Sequence, residues 1–399
     1  MKNRINDIKL KFKAIFGSDE GLRFFAAPGR VNLIGEHIDY CGGYVFPAAL
    51  TLDNVVAIRK NGTSGTVNLA ATDLEGIYSF DLNDIEKARD LKWGNYQAGV
   101  IKELIKKGCK VEGIDMLFDG TIPFGSGLSS SASIELATGI AVSTLFGGNF
   151  DNIELALMGQ SAENNFCDVN CGIMDQFASG MGKENHAIML NCGTLEYKYV
   201  PLDLGDNVLI LANTCKKHAL GASKYNERRH EVEVGLSVMQ EAEKASGVNA
   251  SDVKNALCEY TPDDFEKYSA AFTDNIIKNR VQHVIYENDR VKKAVSVLEA
   301  GDLQGFGKLM REANQSIRYL YEATGDELDA MYDAAENFDG CIGSRMCGGG
   351  FGGCTVNIVN RHRIDDFKKV VGEKYKAAIG IEPQFYVCEI GDGAREIKM

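Results

Sequence analysis

Several things are scarce or absent in this 399-residue chain, and each absence narrows what it can be. No apolar run is long enough to cross a bilayer, which takes about 20 residues, so no membrane-spanning helix is expected. Cationic surplus is missing: 43 Lys and Arg against 56 Asp and Glu leave a net charge of −13. That balance argues against nucleic acid or an acidic membrane surface as the main partner, while leaving room for a local basic pocket that takes a phosphorylated ligand. The eleven Cys include no CxxC pair, and the tightest pair, Cys167 and Cys171, has no nearby His to complete a zinc set. Free thiols in a reducing compartment are expected, with neither zinc nor a required disulfide. The first residues, "MKNRINDIKLKFKAIFG", do not form a signal peptide, because Ile5, Ile8, Phe12, Ile15 and Phe16 recur at helical spacing. A cytoplasmic protein is expected. There is no low-complexity segment and no repeat at solenoid periods.

What is present reads as an ordinary soluble protein, 45% hydrophobic and 25% charged. The length predicts two domains. Strand-like runs such as "LRFFAAPGRVNLIGEH", broken by Pro28 and Gly29, mix with amphipathic helices without βαβ regularity. The pattern resets near residue 205, where "NVLILANT" reads as a strand and charged helices follow to about residue 338. The expected fold class is therefore α+β, with residues 1–200 and 201–399 as its two halves.

Chemistry is concentrated in a few stretches. "APGRVNLIGEHIDYCGGYVFPAAL", residues 27–50, places Arg30, Glu36, His37 and Asp39 within an otherwise apolar run. "PFGSGLSSSAS", residues 123–133, puts two Gly and five Ser where a helix is expected to begin. Gly allows close backbone approach and a helix N-terminus offers free N–H groups, so the loop suits a phosphate chain; a tight turn with a Ser cap fits equally well. The pattern GxxxxGK[ST] is absent. "GGGFGG" at 348–353 satisfies GxGxxG literally, but "CTVNIV" after it alternates like a strand, which excludes a dinucleotide site needing a helix there. Glu163 in "QSAENNF" and Asp175 after "NCGIM" could hold Mg²⁺ or orient a nucleophile, but from spacing alone a solvated helix face and a first-turn charge are the favoured accounts.

Taken together and in this order, the stretches are similar to one family. "GRVNLIGEHIDYCGGYVFPAA" resembles the galactokinase signature, while "PFGSGLSSSAS" and "MCGGGFGGCTV" resemble the phosphate-loop and Gly-rich motifs of the wider GHMP kinases. "AENNFCDVNCGIMDQFASGMG" resembles the galactokinase segment bearing the metal Glu and the catalytic Asp, and the likeness runs from about residue 20 to the last strand. The resemblance implies a two-domain GHMP-kinase architecture with the active site between the domains. By the same resemblance, Asp175 would be the base at the anomeric hydroxyl of galactose, and Arg30 would stabilise the transferring phosphoryl group. Glu36, His37 and Asp39, with Ile38 between them, would bind the sugar together with Gly172 and Tyr225. Gly125, Ser126, Gly127, Leu128, Ser129, Ser130 and Ser131 would wrap the phosphates of ATP, with Trp93 near the adenine. Ser131 and Glu163 would hold Mg²⁺. The chain departs from the family where Ile38 and Cys347 replace the usual Thr and Cys41 the frequent Asn.

A hexose is almost all hydroxyl, so its selection must come from buried hydrogen bonds, which would explain the polar cluster at residues 30–39. The expected activity is ATP-dependent phosphorylation of galactose to galactose 1-phosphate, the chain acting as a monomer. N-acetylgalactosamine kinase, and a sensor that binds galactose and ATP without catalysis, are the competing readings.

Overall fold

The computed structural model of the chain describes residues 1–123, 125–216 and 221–398. Helix α1 (Lys2–Phe16) buries Ile5, Ile8 and Phe12 along one face and stops at Gly17, whose φ of 80° is left-handed. Strand β1 (Arg23–Asn32) follows, then a short 3₁₀ turn at Asp39–Cys41, β2 (Tyr44–Val45) and β3 (Pro47–Lys60). Beyond these lie β4 (Thr66–Ala71), β5 (Leu74–Asp81), α2 (Gly94–Lys106) and β6 (Ile114–Gly120). Three helices come next, α3 (Ser130–Leu145), α4 (Asn152–Asn165) and α5 (Met174–Met181), and then the hairpin β7 (His186–Asn191) and β8 (Tyr197–Pro201). The later half holds β9 (Asn207–Asn213), α6 (Gly221–Ala245), α7 (Pro262–Tyr268), α8 (Asn275–Glu299) and α9 (Leu303–Ser316), which runs into a π turn at Ile317–Tyr321. It closes with α10 (Asp326–Glu336), β10 (Cys341–Cys347), β11 (Cys354–Asn360), α11 (Ile364–Ile379), β12 (Gln384–Cys388) and β13 (Arg395–Glu396).

Three sheets organise these elements, in the orders β13-β1-β3-β6-β4-β5, β10-β11-β9-β12 and β2-β7-β8. Period-two alternation divides β1 between two faces. Phe24 and Ala26 pack with α1, while Phe25 and Ala27 pack with residues of α2, α3 and α4. Burying a Phe of this kind contributes about 1.5–3 kcal/mol. One larger apolar core then runs from Val31 and Phe46 through Phe306 and Met310 to Val356.

Two local features place the site. The β1–β3 register shifts between Pro28 and Arg30, the break expected from Pro28 and Gly29. Gly29 is needed there, because a Cβ would lie 2.7 Å from the carbonyl oxygen of Leu128, and the same close approach lets Arg30 N–H donate to that oxygen at 3.2 Å. Helix α5 is tied to β1 by the Ser179 hydroxyl, which donates to the Pro28 carbonyl at 2.7 Å. The bulge and α5 therefore face each other.

Candidate active site

Across that gap Arg30 and Asp175 form a two-pronged ion pair. Arg30 Nε donates to Asp175 Oδ1 at 2.9 Å and its NH2 to Oδ2 at 3.0 Å, while NH1 donates to the Gly127 carbonyl at 2.8 Å. Burial disfavours the cation, but Asp175, ahead of Cys347 and Glu36, more than compensates, so the Arg30 pKa is raised. The Ser129 hydroxyl donates to Asp175 Oδ2 at 2.5 Å. Ser129 has a left-handed φ of 58° immediately before α3, so its side chain points at the aspartate.

Three cavities meet at Asp175. The first holds about 360 Å³ of empty space and is lined by Arg30, Glu36, His37, Asp39, Gly172 and Tyr225, with Cys171, Met174, Asp175 and Gly348–Gly349 completing its wall. Asp39 backs directly onto Gly172, where a Cβ would collide with its carboxylate. Burial, then the nearby charge of Asp175, pushes the Asp39 carboxyl up to about 7. Glu36 forms a buried ion pair with Arg345 and accepts from Gly348 N–H at 3.1 Å. His37 is neutral, its pKa pushed down to about 3 by burial and then by His283. Both its ring nitrogens are engaged, by Tyr40 at 2.7 Å and by the Gly349 carbonyl at 3.2 Å. Its ring lies 5.3 Å from that of Tyr225.

The second cleft, about 1500 Å³, is lined by Gly125, Ser126, Gly127, Leu128, Ser129, Ser130 and Ser131, with Trp93 and Tyr96 at its far end. Trp93 is held edge-on between Tyr78 and Phe118, and its buried indole N–H has no hydrogen-bond partner among the described residues. The third, about 1420 Å³, brings Ser131, Glu163 and Asp175 to one wall. Glu163 accepts from Gln176 at 2.7 Å; burial and then Asp175 push its carboxyl up to about 7, with Ser131 hydrogen bonding pulling it back. A hydroxyl and a buried carboxylate, both hard oxygen donors beside the phosphate loop, suit a Mg²⁺ that keeps water and phosphate as its other ligands. Among the described residues no group of three or more His, Cys, Asp or Glu side chains could hold a metal by itself.

One expected site residue needs correction. Ile38 does not line the sugar-sized cavity: its side chain is fully buried in the apolar core, and its carbonyl accepts from Cys41 and Gly43 N–H in the 3₁₀ turn. The turn aims its neighbours outward and Ile38 inward. Sequence reasoning also passed over Arg345, Glu135 and Gln176. Arg345 is a lone charge in an apolar strand, and Glu135 is the only charged residue of α3, where burial and Glu163 push its carboxyl well above its ordinary range. Each was visible as the one charge in an otherwise uncharged segment. Gln176, which donates to both Glu135 and Glu163, carried no such signal. All eleven Cys are unpaired thiols.

The fold and these loops define a class. Residues 95–183 match the GHMP kinases N-terminal domain and residues 294–377 the GHMP kinases C-terminal domain. A solved mevalonate kinase shares the fold with a TM-score of 0.66 at 18% identity, covering 92% of this chain and 99% of its own. Residues 10–60 match the galactokinase galactose-binding signature. The galactokinase of Clostridium tetani is 49% identical over 98% of both chains, and that of Bacillus subtilis 44% identical over 98% of this chain and 99% of its own. The crystal structure of Lactococcus lactis galactokinase complexed with galactose matches with a TM-score of 0.94 at 38% identity, covering 98% of this chain and 100% of that one. The chain belongs to the galactokinase family.

Proposed function

We propose that the chain transfers the γ-phosphoryl group of ATP to the anomeric hydroxyl of galactose, giving galactose 1-phosphate and ADP. The observation that carries this reading is the Arg30–Asp175 pair at the junction of the three cavities. In this reading the smallest cavity takes the sugar, held by Glu36, Asp39, the Gly172 backbone and Tyr225, with the His37 ring as a wall. Residues 125–131 surround the phosphates, and the free indole N–H of Trp93 marks the nucleoside end. Asp175 faces the hydroxyl and receives its proton as the new O–P bond forms. Arg30, anchored on the Gly127 carbonyl, holds Asp175 in place through its two-pronged pair and offsets charge on the transferring group. Ser131 and Glu163 would hold Mg²⁺, which neutralises phosphate charge when bound. Residues 1–200 supply most of the walls, and residues 201–399 close the sugar cavity with Tyr225 and the Gly348–Gly349 turn. Among the described residues no helix is long and apolar enough to cross a membrane, in keeping with soluble substrates.

A coupled assay of ADP release against free hexoses and hexosamines tests the assignment. Buried groups matched to one set of hydroxyls reject an epimer by about 10⁴-fold or more, so galactose should exceed glucose by that order in kcat/KM. Equal values would refute the sugar cavity. Preference for N-acetylgalactosamine, or binding without turnover, would give the site to one of the two competing activities.

A further inference from the structure

For a neutral imidazole the hydrogen bonds around His37 admit only one arrangement of protons. Nε2 lies 3.2 Å from the Gly349 carbonyl oxygen, Nδ1 lies 2.7 Å from Tyr40 Oη, and Tyr40 Oη lies 2.7 Å from Tyr321 Oη. A carbonyl can only accept, so Nε2 must carry a hydrogen. Burial keeps the imidazole neutral, so that hydrogen is its only one and Nδ1 must accept. Tyr40 therefore donates to Nδ1, and Tyr321 donates to Tyr40. The acceptor-only carbonyl and the neutral imidazole together dictate each direction in the chain.

The ends of this chain come from distant parts of the sequence. His37 and Tyr40 flank the sugar cavity in the loop after β1, and His37 has a positive φ of 61°. Tyr321 is the last residue of the π turn after α9 and is fully buried, its ring 4.9 Å from that of His37 and 4.6 Å from that of His283. Gly349 belongs to the Gly-rich turn and lines all three cavities. Neither Tyr40 nor Tyr321 lines the sugar cavity.

We propose that Tyr321 and Tyr40 are positioning residues for sugar recognition: their hydroxyl relay locks His37 in the Nε2–H tautomer, and His37 in turn holds the Gly349 carbonyl at the cavity wall. The proposal rests on the reading of that cavity as the galactose site. Both imidazole nitrogens are committed within the protein, so His37 serves the sugar as a shaped wall and a tether.

The test combines spectroscopy with kinetics on the full chain. In protein labelled with ¹⁵N-histidine and free of sugar, His37, assigned by its loss in His37→Gln, should show protonated Nε2 and bare Nδ1 at pH 7. Tyr40→Phe and Tyr321→Phe keep ring shape but each break the relay. Galactose KM should rise roughly fivefold or more in either, as expected for one buried acceptor left unsatisfied, with ATP KM unchanged. The double variant should be no worse than the worse single variant, because both act through one chain. A wild-type His37 protonated on Nδ1, or an unchanged galactose KM in either soluble variant, would overturn the proposal. If both Phe variants fail to fold, the wild-type tautomer still decides. A wild type that neither binds nor phosphorylates galactose would overturn the functional reading, and with it the relay's role in sugar binding, while the tautomer measurement tests the relay itself.

Discussion

Asp175 takes two hydrogen bonds from Arg30 and one from Ser129, a set that holds the carboxylate in place without burying it: its side chain remains 28% exposed at the cavity junction. A carboxylate so placed can accept a proton from a neighbouring hydroxyl, and removing a general base typically costs about 10²–10⁴ in rate. Asp175→Asn keeps the shape and loses the acceptor. We expect kcat to fall by roughly two orders of magnitude or more, with galactose affinity by calorimetry within about tenfold of wild type. Arg30→Ala should also lower kcat, and the two losses should not add, because both residues act on one transition state. Near wild-type turnover in Asp175→Asn would remove the base assignment.

Between elements, the site depends on how closely two loops can approach. Asp39 sits in the 3₁₀ turn after β1, while Gly172 ends the loop that leads into α5, and the two touch because Gly172 has no side chain. Inserting one carbon into a filled space forces neighbours aside at a cost of about 1–3 kcal/mol. In Gly172→Ala the displaced group would be the Asp39 carboxylate, so galactose KM should rise by roughly tenfold or more while ATP KM holds. Steady-state kinetics with each substrate varied in turn checks this, and an unchanged galactose KM would separate this contact from sugar binding. The sequence showed both loops as motifs. It could not show their contact, since they lie 133 positions apart.

At the scale of the whole molecule, buried titratable groups link stability to pH. His283 is fully buried on α8, with Nδ1 2.9 Å from Ser316 Oγ and Nε2 3.3 Å from the Glu36 carbonyl, and burial pushes its pKa down to about 4 from 6.5. Between those values the unfolded chain binds the proton and the folded one does not. Its contribution to stability is therefore present above pH 6.5 and is lost as pH falls towards 4. Asp39 and Glu163, both pushed up to about 7, act in the opposite direction over an overlapping range, so the net slope is not diagnostic. The comparison with His283→Gln is. Between pH 7.5 and pH 4.5 the wild-type Tm should fall further than the variant's, by roughly 2 °C or more, measured by scanning calorimetry. Parallel curves would mean that His283 is not held neutral.

The sequence alone determined whatever depends on local pattern. Helical spacing of Ile5, Ile8 and Phe12 set α1, Pro28 and Gly29 set the break in β1, and the alternation after "GGGFGG" set a strand where a dinucleotide site would need a helix. Arg30 and Asp39 were legible as polar groups in a stretch that otherwise reads apolar, whereas Ser131, Glu163 and Asp175 stood out only through the family resemblance. Tertiary structure decided what those groups do to one another. Only the fold brings β10 under the loop after β1, which gives Glu36 its Arg345, and only the π turn brings Tyr321 to Tyr40. Ile38 shows the same limit, since neighbouring residues in one motif can face opposite ways, into the cavity and into the core. Pairing, burial and proton position depend on three-dimensional distance, and a sequence records only separation along the chain.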